Sequence, residues 1–209
     1  MPAVFKTEQE KFWAGDFGND YIDRNQGAPA MAANLAFFSR LLARTRAVDS
    51  AIEFGANVGL NLQALRALLP EVALSAVEIN HKAVGQLEAL GGIQVYAQSI
   101  LDFVPDRPRD FAFTKGVLIH INPDHLADVY DILYQSSSRY IGVAEYYNPV
   151  PVEITYRGNQ EKLFKRDFAG EILDRFPDLR LLDYGFAYHR DPVFPQDDTT
   201  WFLLEKIGK

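Results

Sequence analysis

The chain of 209 residues has no cysteine. That excludes a disulfide framework, a thiolate nucleophile and a zinc–thiolate centre. It has no apolar run near the roughly 18 residues that a membrane-spanning helix needs. Its opening, MPAVFKTEQEKFW, lacks the apolar stretch of a secretory signal. A cytoplasmic protein without a membrane partner is the expectation. Positive charge is scarce: 21 Lys and Arg stand against 28 Asp and Glu, for a net charge of −7. Non-specific nucleic-acid binding rests on Lys and Arg neutralising phosphates, so a nucleic-acid partner is not expected. There is no internal repeat and no low-complexity linker. The histidines, His81, His120, His125 and His189, have no metal-ligand spacing with neighbouring carboxylates, and no metal is expected.

What is present is an ordinary globular composition, 48% hydrophobic and 23% charged, long enough to bury a sizeable core in a single domain spanning 1–209. Residues 1–46 read as a helical cap segment. TEQEKFWAG predicts a short helix at 7–15, DFGNDYIDRNQGAP a polar, turn-rich loop, and the spacing of Met31, Leu35, Phe38, Leu41 and Leu42 a helix to about residue 44. From residue 47 on, strands and helices alternate. Strands are predicted at 50–54, 73–79, 93–97, 110–115 and 139–145, and helices at 59–69, 81–90, 123–135 and 166–176. Such alternation implies parallel strands joined by right-handed crossovers. The ending differs: LRLLDYGFAYH and TTWFLLEKI have no helix between them and fit an antiparallel hairpin. Residues 145–165 are left as a loop on the substrate side.

The chemistry starts at IEFGANVG, residues 52–59. A strand runs into a glycine turn and out into a helix, the layout that holds a nucleotide. Gly55 and Gly59 permit a sharp turn and close approach, and Ala56 between them is small. This is not G-x-G-x-x-G: Asn57 stands where a second glycine might be, and Glu53 precedes the turn. In a dinucleotide enzyme the following helix faces a pyrophosphate, which a carboxylate would repel. An ammonium would be attracted, and S-adenosylmethionine carries an ammonium and a sulfonium. Glu53 therefore moves the reading from NAD to S-adenosylmethionine. A glycine turn without ligand is the bland alternative. Glu78 ends the next strand, just before Ile79, about 20 residues on, where a ribose-binding acid belongs; otherwise it is a solvated strand-end glutamate. Ser99 and Ile100 end the third strand, where the base would lie, and Lys115-Gly116 end the fourth at the carboxyl edge, where ligands bind in open α/β sheets.

With these motifs the chain resembles the class I S-adenosylmethionine-dependent methyltransferases over about residues 48–206. TEQEKFWAGDFGNDYIDRN, FTKGVLIHINP and LFKRDFAG narrow the resemblance to the small methylases associated with pseudaminic acid biosynthesis. The resemblance implies an α/β, Rossmann-like, seven-stranded and mostly parallel sheet with an antiparallel C-terminal hairpin and helices on both faces. It implies that Glu53, Gly55, Asn57 and Gly59 surround the methionine moiety, that Glu78 holds the ribose, and that Ser99 and Ile100 lie near adenine. Related enzymes often carry Asp at the position of Ser99. The Asn57 amide either bonds the cofactor carboxylate or caps the following helix.

For the acceptor, His120 is the candidate base, since imidazole titrates near neutrality; such a histidine can also simply satisfy local backbone groups. Tyr21, Arg24 and Asn25 near the N-terminus, Glu145, Tyr146, Tyr147, Asn148, Tyr156 and Arg157 after the fifth strand, Lys162, Lys165 and Arg166, and His189 and Arg190 are candidate substrate residues. Arg binds carboxylate or phosphate bidentately, so basic and tyrosine residues gathered in an acidic protein suggest a small, anionic acceptor such as a sugar acid, carboxylate or phosphonate, methylated on oxygen or nitrogen. A non-catalytic cofactor-binding scaffold and an NAD-dependent enzyme are the competing readings.

Overall fold

A computed structural model describes residues 5–22 and 28–208. In chain order the elements are α1 (Glu8–Ala14), α2 (Asp16–Ile22), α3 (Ala28–Leu41), β1 (Ser50–Phe54), α4 (Leu60–Leu68), β2 (Ala73–Glu78), α5 (His81–Ala89), β3 (Ile93–Ala97), β4 (Arg109–Lys115), α6 (Leu126–Ser136), β5 (Ser137–Glu145), β6 (Val152–Tyr156), β7 (Asn159–Lys165), α7 (Phe168–Arg175), β8 (Leu179–Ala187) and β9 (Thr199–Lys206). Seven strands form one sheet in the order β3-β2-β1-β4-β5-β9-β8. β1 to β5 pair in parallel. β9 is laid between β5 and β8 and is antiparallel to both. The expected Rossmann-like, mostly parallel sheet with its antiparallel C-terminal pair is what the chain adopts.

The period-2 pattern of the strands splits the interior in two. Ala51, Ala76, Phe111 and Phe113 face Phe38 of α3, Leu62 and Leu65 of α4 and Leu87 of α5. Ile52, Phe54, Ala112 and Ile141 face Val129 and Leu133 of α6 and Phe168 and Ile172 of α7. Leu62, Leu65, Leu87, Leu133 and Ile172 are wholly buried, each stabilising by about 1.5–3 kcal/mol. Glu53 shares its strand face with Ala51, so it points at α4 rather than at solvent. This places an acid inside the core.

Two local expectations change. Residues 16–22 are helical, not a loop. Gly18 is used there for contact: a Cβ would stand 1.9 Å from the Trp13 carbonyl oxygen. Phe17 stacks on Phe12 at 4.1 Å, and Tyr21 meets Trp13 edge-on at 5.3 Å. Residues 152–165 hold a two-stranded hairpin of their own. Its turn is Arg157-Gly158, at φ 48° and 84°, the left-handed pair that a tight hairpin requires.

Candidate active site

A cavity of about 570 Å3 opens at the carboxyl edge of β1, β2 and β4, within the range of small-molecule sites. Its floor is the turn after β1. Gly55 and Gly59 have φ of 73° and 79°, and a Cβ on Gly59 would approach Leu87 to 2.7 Å. Asn57 has φ 47°, a region that Asn tolerates better than most residues. That explains Asn where glycine was expected. The capping alternative is not realised, because Gly59 is the N-cap of α4 and no side chain caps it.

Glu78 is buried and straddles two loops. One oxygen accepts from Asn57 N at 2.7 Å, the other from Asn80 N at 2.7 Å. Burial raises its pKa although these bonds oppose the shift. Each oxygen keeps acceptor capacity, so the carboxyl fits two ribose hydroxyls. Glu53 does not line the cavity. It is fully buried, its Oε1 accepts from Asn61 Nδ2 at 2.6 Å, and its Oε2 has no partner among the described residues. Burial pushes its carboxyl up to about 8, with Lys115 pulling the other way. Asn61, on the first turn of α4, does line the cavity.

Lys115 ends β4 inside the cavity. Its ammonium donates to Asn34 Oδ1 at 3.2 Å and lies 5.2 Å from the Phe37 ring. Burial lowers its pKa, and Glu53, Asp197 and Glu145 raise it. Gln196 donates to the same Asn34 oxygen at 3.3 Å, while its own buried Oε1 has no partner among the described residues. Polar atoms left unpaired inside a protein cost stability. Four of them, on Gln9, Glu10, Trp13 and Gln196, belong to residues that line this cavity.

The roof is built by α1, α2 and the β6–β7 hairpin. Asn80 Nδ2 donates to the Trp13 carbonyl at 3.1 Å, tying α1 to the end of β2. Gln9 Nε2 donates to the Glu161 carbonyl at 2.9 Å. His120, on a 3-10 turn after β4, packs 4.5 Å from Trp13 and 5.0 Å from Tyr156 between ring centroids. Its Nδ1 lies 2.6 Å from the Lys162 carbonyl. A carbonyl only accepts, so Nδ1 carries the proton and Nε2 the lone pair. Burial pushes the pKa down to about 4.

The sequence candidates divide. Gly55, Ala56, Asn57, Glu78, Ile79, Ser99, Ile100, Lys115, Gly116, His120, Tyr21, Tyr146, Tyr156 and Arg157 line the cavity; Gly59 does not. Tyr146 donates to Asp197 at 3.0 Å. Glu145 is buried and accepts from the amides of Val117 and Ile119, holding the turn that carries His120. Lys162 lies over Phe12 and Lys165 over Tyr146. Arg166 pairs with Glu171 at 2.6 Å and His189 with Asp198 at 2.8 Å. Tyr147 and Arg190 are exposed away from the cavity lining, and Asn148 bonds the Val150 carbonyl. Arg24 and Asn25 lie outside the described residues. The basic residues that suggested an anionic acceptor are thus not one group in space. Sequence reading missed Gln9, Glu10, Trp13, Asn34, Asn61, Asn80, Gln196 and Asp197, which come from elements on either side of the sheet edge.

No family model matches the chain, and no curated protein does. Solved structures match over nearly its whole length. A Burkholderia thailandensis 1,6-didemethyltoxoflavin-N1-methyltransferase, with bound 1,6-didemethyltoxoflavin and S-adenosylhomocysteine, superposes with TM-score 0.71 at 14% identity, over 99% of this chain and 92% of that one. The magnesium protoporphyrin IX methyltransferase of Synechocystis PCC 6803, with bound S-adenosylmethionine, gives 0.69 at 12%, over 98% and 100%. A Leishmania major S-adenosylmethionine-dependent methyltransferase gives 0.69 at 12%, over 96% and 87%. The chain has the fold of these methyltransferases. At this identity the likeness speaks for the fold, and the chemistry rests on the cavity.

Proposed function

We propose that the protein is an S-adenosylmethionine-dependent methyltransferase acting on an oxygen or nitrogen of a small cytoplasmic acceptor. The observation that carries this is the gathering of the glycine turn, Glu78 and Lys115 in one cavity. Glu78 suits a ribose diol. Lys115 suits a carboxylate, which S-adenosylmethionine has and NAD lacks. Gln196 Oε1 and Asp197, beside Lys115, suit the ammonium of the same amino-acid group, with Glu53 acting through Asn61. The fold likeness supports the reading.

The cofactor supplies a methyl group activated by its sulfonium. What the chain supplies is alignment and exclusion of water. Trp13, Tyr156 and His120 close one side of the cavity, and the rings of Tyr21 and Tyr146 line it. His120 is unprotonated at neutral pH, as a base must be, but a nitrogen with pKa about 4 accepts a proton poorly there. It serves better as a hydrogen-bond acceptor that orients a donor. Sugar acids, carboxylates and phosphonates are the acceptors to screen first, in line with the resemblance to pseudaminic acid-associated methylases; an anionic group would meet Arg157. Titration calorimetry with S-adenosylhomocysteine tests the reading, and absence of binding at high micromolar ligand would sink it.

A second reading rests on β8, which exposes Tyr184 and Phe186 at 65% and 55%, and on Tyr188 just past its end, exposed at 44%. A cofactor-binding scaffold would dock a partner on such an apolar strip. It predicts cofactor binding without turnover across the acceptor panel.

A further inference from the structure

The recognition of the cofactor's base has a place in the cavity that the strand ends do not fill. From Glu78 the floor continues through Ile79, just after β2, to the turn after β3, where Ile100 and Leu101 line the wall. An apolar surface of this kind suits the face of a purine but not its polar edge. The Ser99 hydroxyl accepts from Leu101 N at 3.0 Å and so caps its own turn. Helix α1 is pinned beside that turn, for Lys6 Nζ lies 2.7 Å from the Leu101 carbonyl and 2.7 Å from Asp102 Oδ1.

The next turn of the same segment carries two unpaired acceptors. Gln9 and Glu10 are 6% and 8% exposed and line the cavity. Each is held at one end, and at the other a buried oxygen has no partner among the described residues. Gln9 Nε2 donates to the Glu161 carbonyl at 2.9 Å, which fixes the amide orientation and leaves Oε1 without a partner. Glu10 Oε2 accepts from Thr7 N at 2.7 Å in a capping box, which leaves Oε1 without a partner. Two buried acceptors with no donor call for a ligand group that brings two N–H bonds. The 6-amino group of adenine is such a group.

We propose that Gln9 and Glu10 read the adenine 6-amino group, so that helix α1, and not the end of β3, sets the base specificity. This rests on the reading of the cofactor as S-adenosylmethionine. The test compares S-adenosylhomocysteine with S-inosylhomocysteine, which has a carbonyl at that position, by titration calorimetry. The wild type is expected to prefer the adenine ligand by about 100-fold. In Glu10→Gln the amide oxygen keeps the bond from Thr7 and the amide nitrogen takes the open position. A donor then meets the carbonyl, and the preference falls at least tenfold or inverts. Gln9→Leu, which leaves the capping box intact, is expected to lose about tenfold for the adenine ligand and little for the inosine one. Wild-type protein that binds neither ligand would overturn the cofactor reading itself. Wild-type protein that binds S-adenosylhomocysteine, with the full preference retained in Glu10→Gln and Gln9→Leu, would overturn the role of α1 and leave the cofactor reading standing.

Discussion

The floor and the roof of the cavity are built by different means. The floor is a set of strand ends whose polar groups are tied by backbone amides: Glu78 takes Asn57 N and Asn80 N, and Glu145 takes Val117 N and Ile119 N. Its carboxyls are buried and its turn is fixed by left-handed residues. The roof is a pair of hairpins, one helical and one of strands, meeting through rings. Tyr156 lies 6.4 Å from Trp13 and 5.8 Å from Phe17 across that seam, and single bonds from Gln9 and His120 reach the carbonyls of β7. Parts held by the sheet can be exact about a ligand. Parts held by side-chain contact can open to admit one.

Breaking the floor has the largest expected effect. Glu78→Ala removes the ribose acceptors and leaves two amides unpaired, and S-adenosylhomocysteine affinity should fall by about 100-fold or more. Near-normal affinity in calorimetry would mean that the floor is misread. Lys115→Met should cost about 20-fold for S-adenosylhomocysteine yet leave 5′-methylthioadenosine, which has no carboxylate, within about twofold. Equal losses for both ligands would remove Lys115 from the amino-acid end. His120, carried by the floor but bonded to the roof, should lose about fivefold in turnover as His120→Ala, by the same factor at pH 6 and pH 8. A wild-type activity limb near pH 6.5 that disappears in the variant would restore it as the base. Tyr156→Ala opens only the roof. Cofactor affinity should stay within about threefold while the melting point drops by an amount worth about 1 kcal/mol. A cofactor loss matching that of Glu78→Ala would erase the distinction between the two regions.

The effect least tied to the ligand is in the pH dependence of stability. The folded Glu53 carboxyl keeps its proton to about pH 8, against an ordinary value of 4.5. Between those values the folded state holds the extra proton, so its contribution is full below 4.5 and is lost as pH rises through 8. Glu53→Gln has no proton to lose. Its melting point should gain on the wild type as pH rises from 5 to 8. A constant gap across that range would show that Glu53 is charged throughout.

The sheet was legible because its strands follow hydrophobic alternation between turn residues, and β1 and β3 lie at 50–54 and 93–97, as the pattern predicts. The floor of the site was legible for the same reason: Glu78 and Lys115 sit at strand ends, and strand ends converge at one edge. Composition misled at FGND, where Gly18 and Asn19 suggested a loop. Gly18 is there because α2 lies against the Trp13 carbonyl, a tertiary demand that no local pattern encodes. The hairpin at 152–165 did leave a signal, an Arg-Gly turn between β-prone runs. The roof side of the site was hidden because Gln9, Glu10 and Trp13 matter only through what they leave unpaired. Charge counting misled as well. Arg166 is spent on Glu171 and the His189 ring is bonded to Asp198, and a sequence does not show which side chains already have partners.

The placement of β9 has a consequence for assembly. β8 finds its partner in the sheet only through β9, and β9 joins it to β5, made more than fifty residues earlier in the chain. The sheet therefore cannot be completed as a growing ribbon, strand by strand. Residues 137–187 must wait with an open seam until residues 199–206 arrive to fill it. Closing contacts so distant in sequence is slow, and an open strand edge is where other chains can pair. During synthesis the exposed partner is the half-built sheet, and a strand that emerges after both its neighbours is the one that seals it.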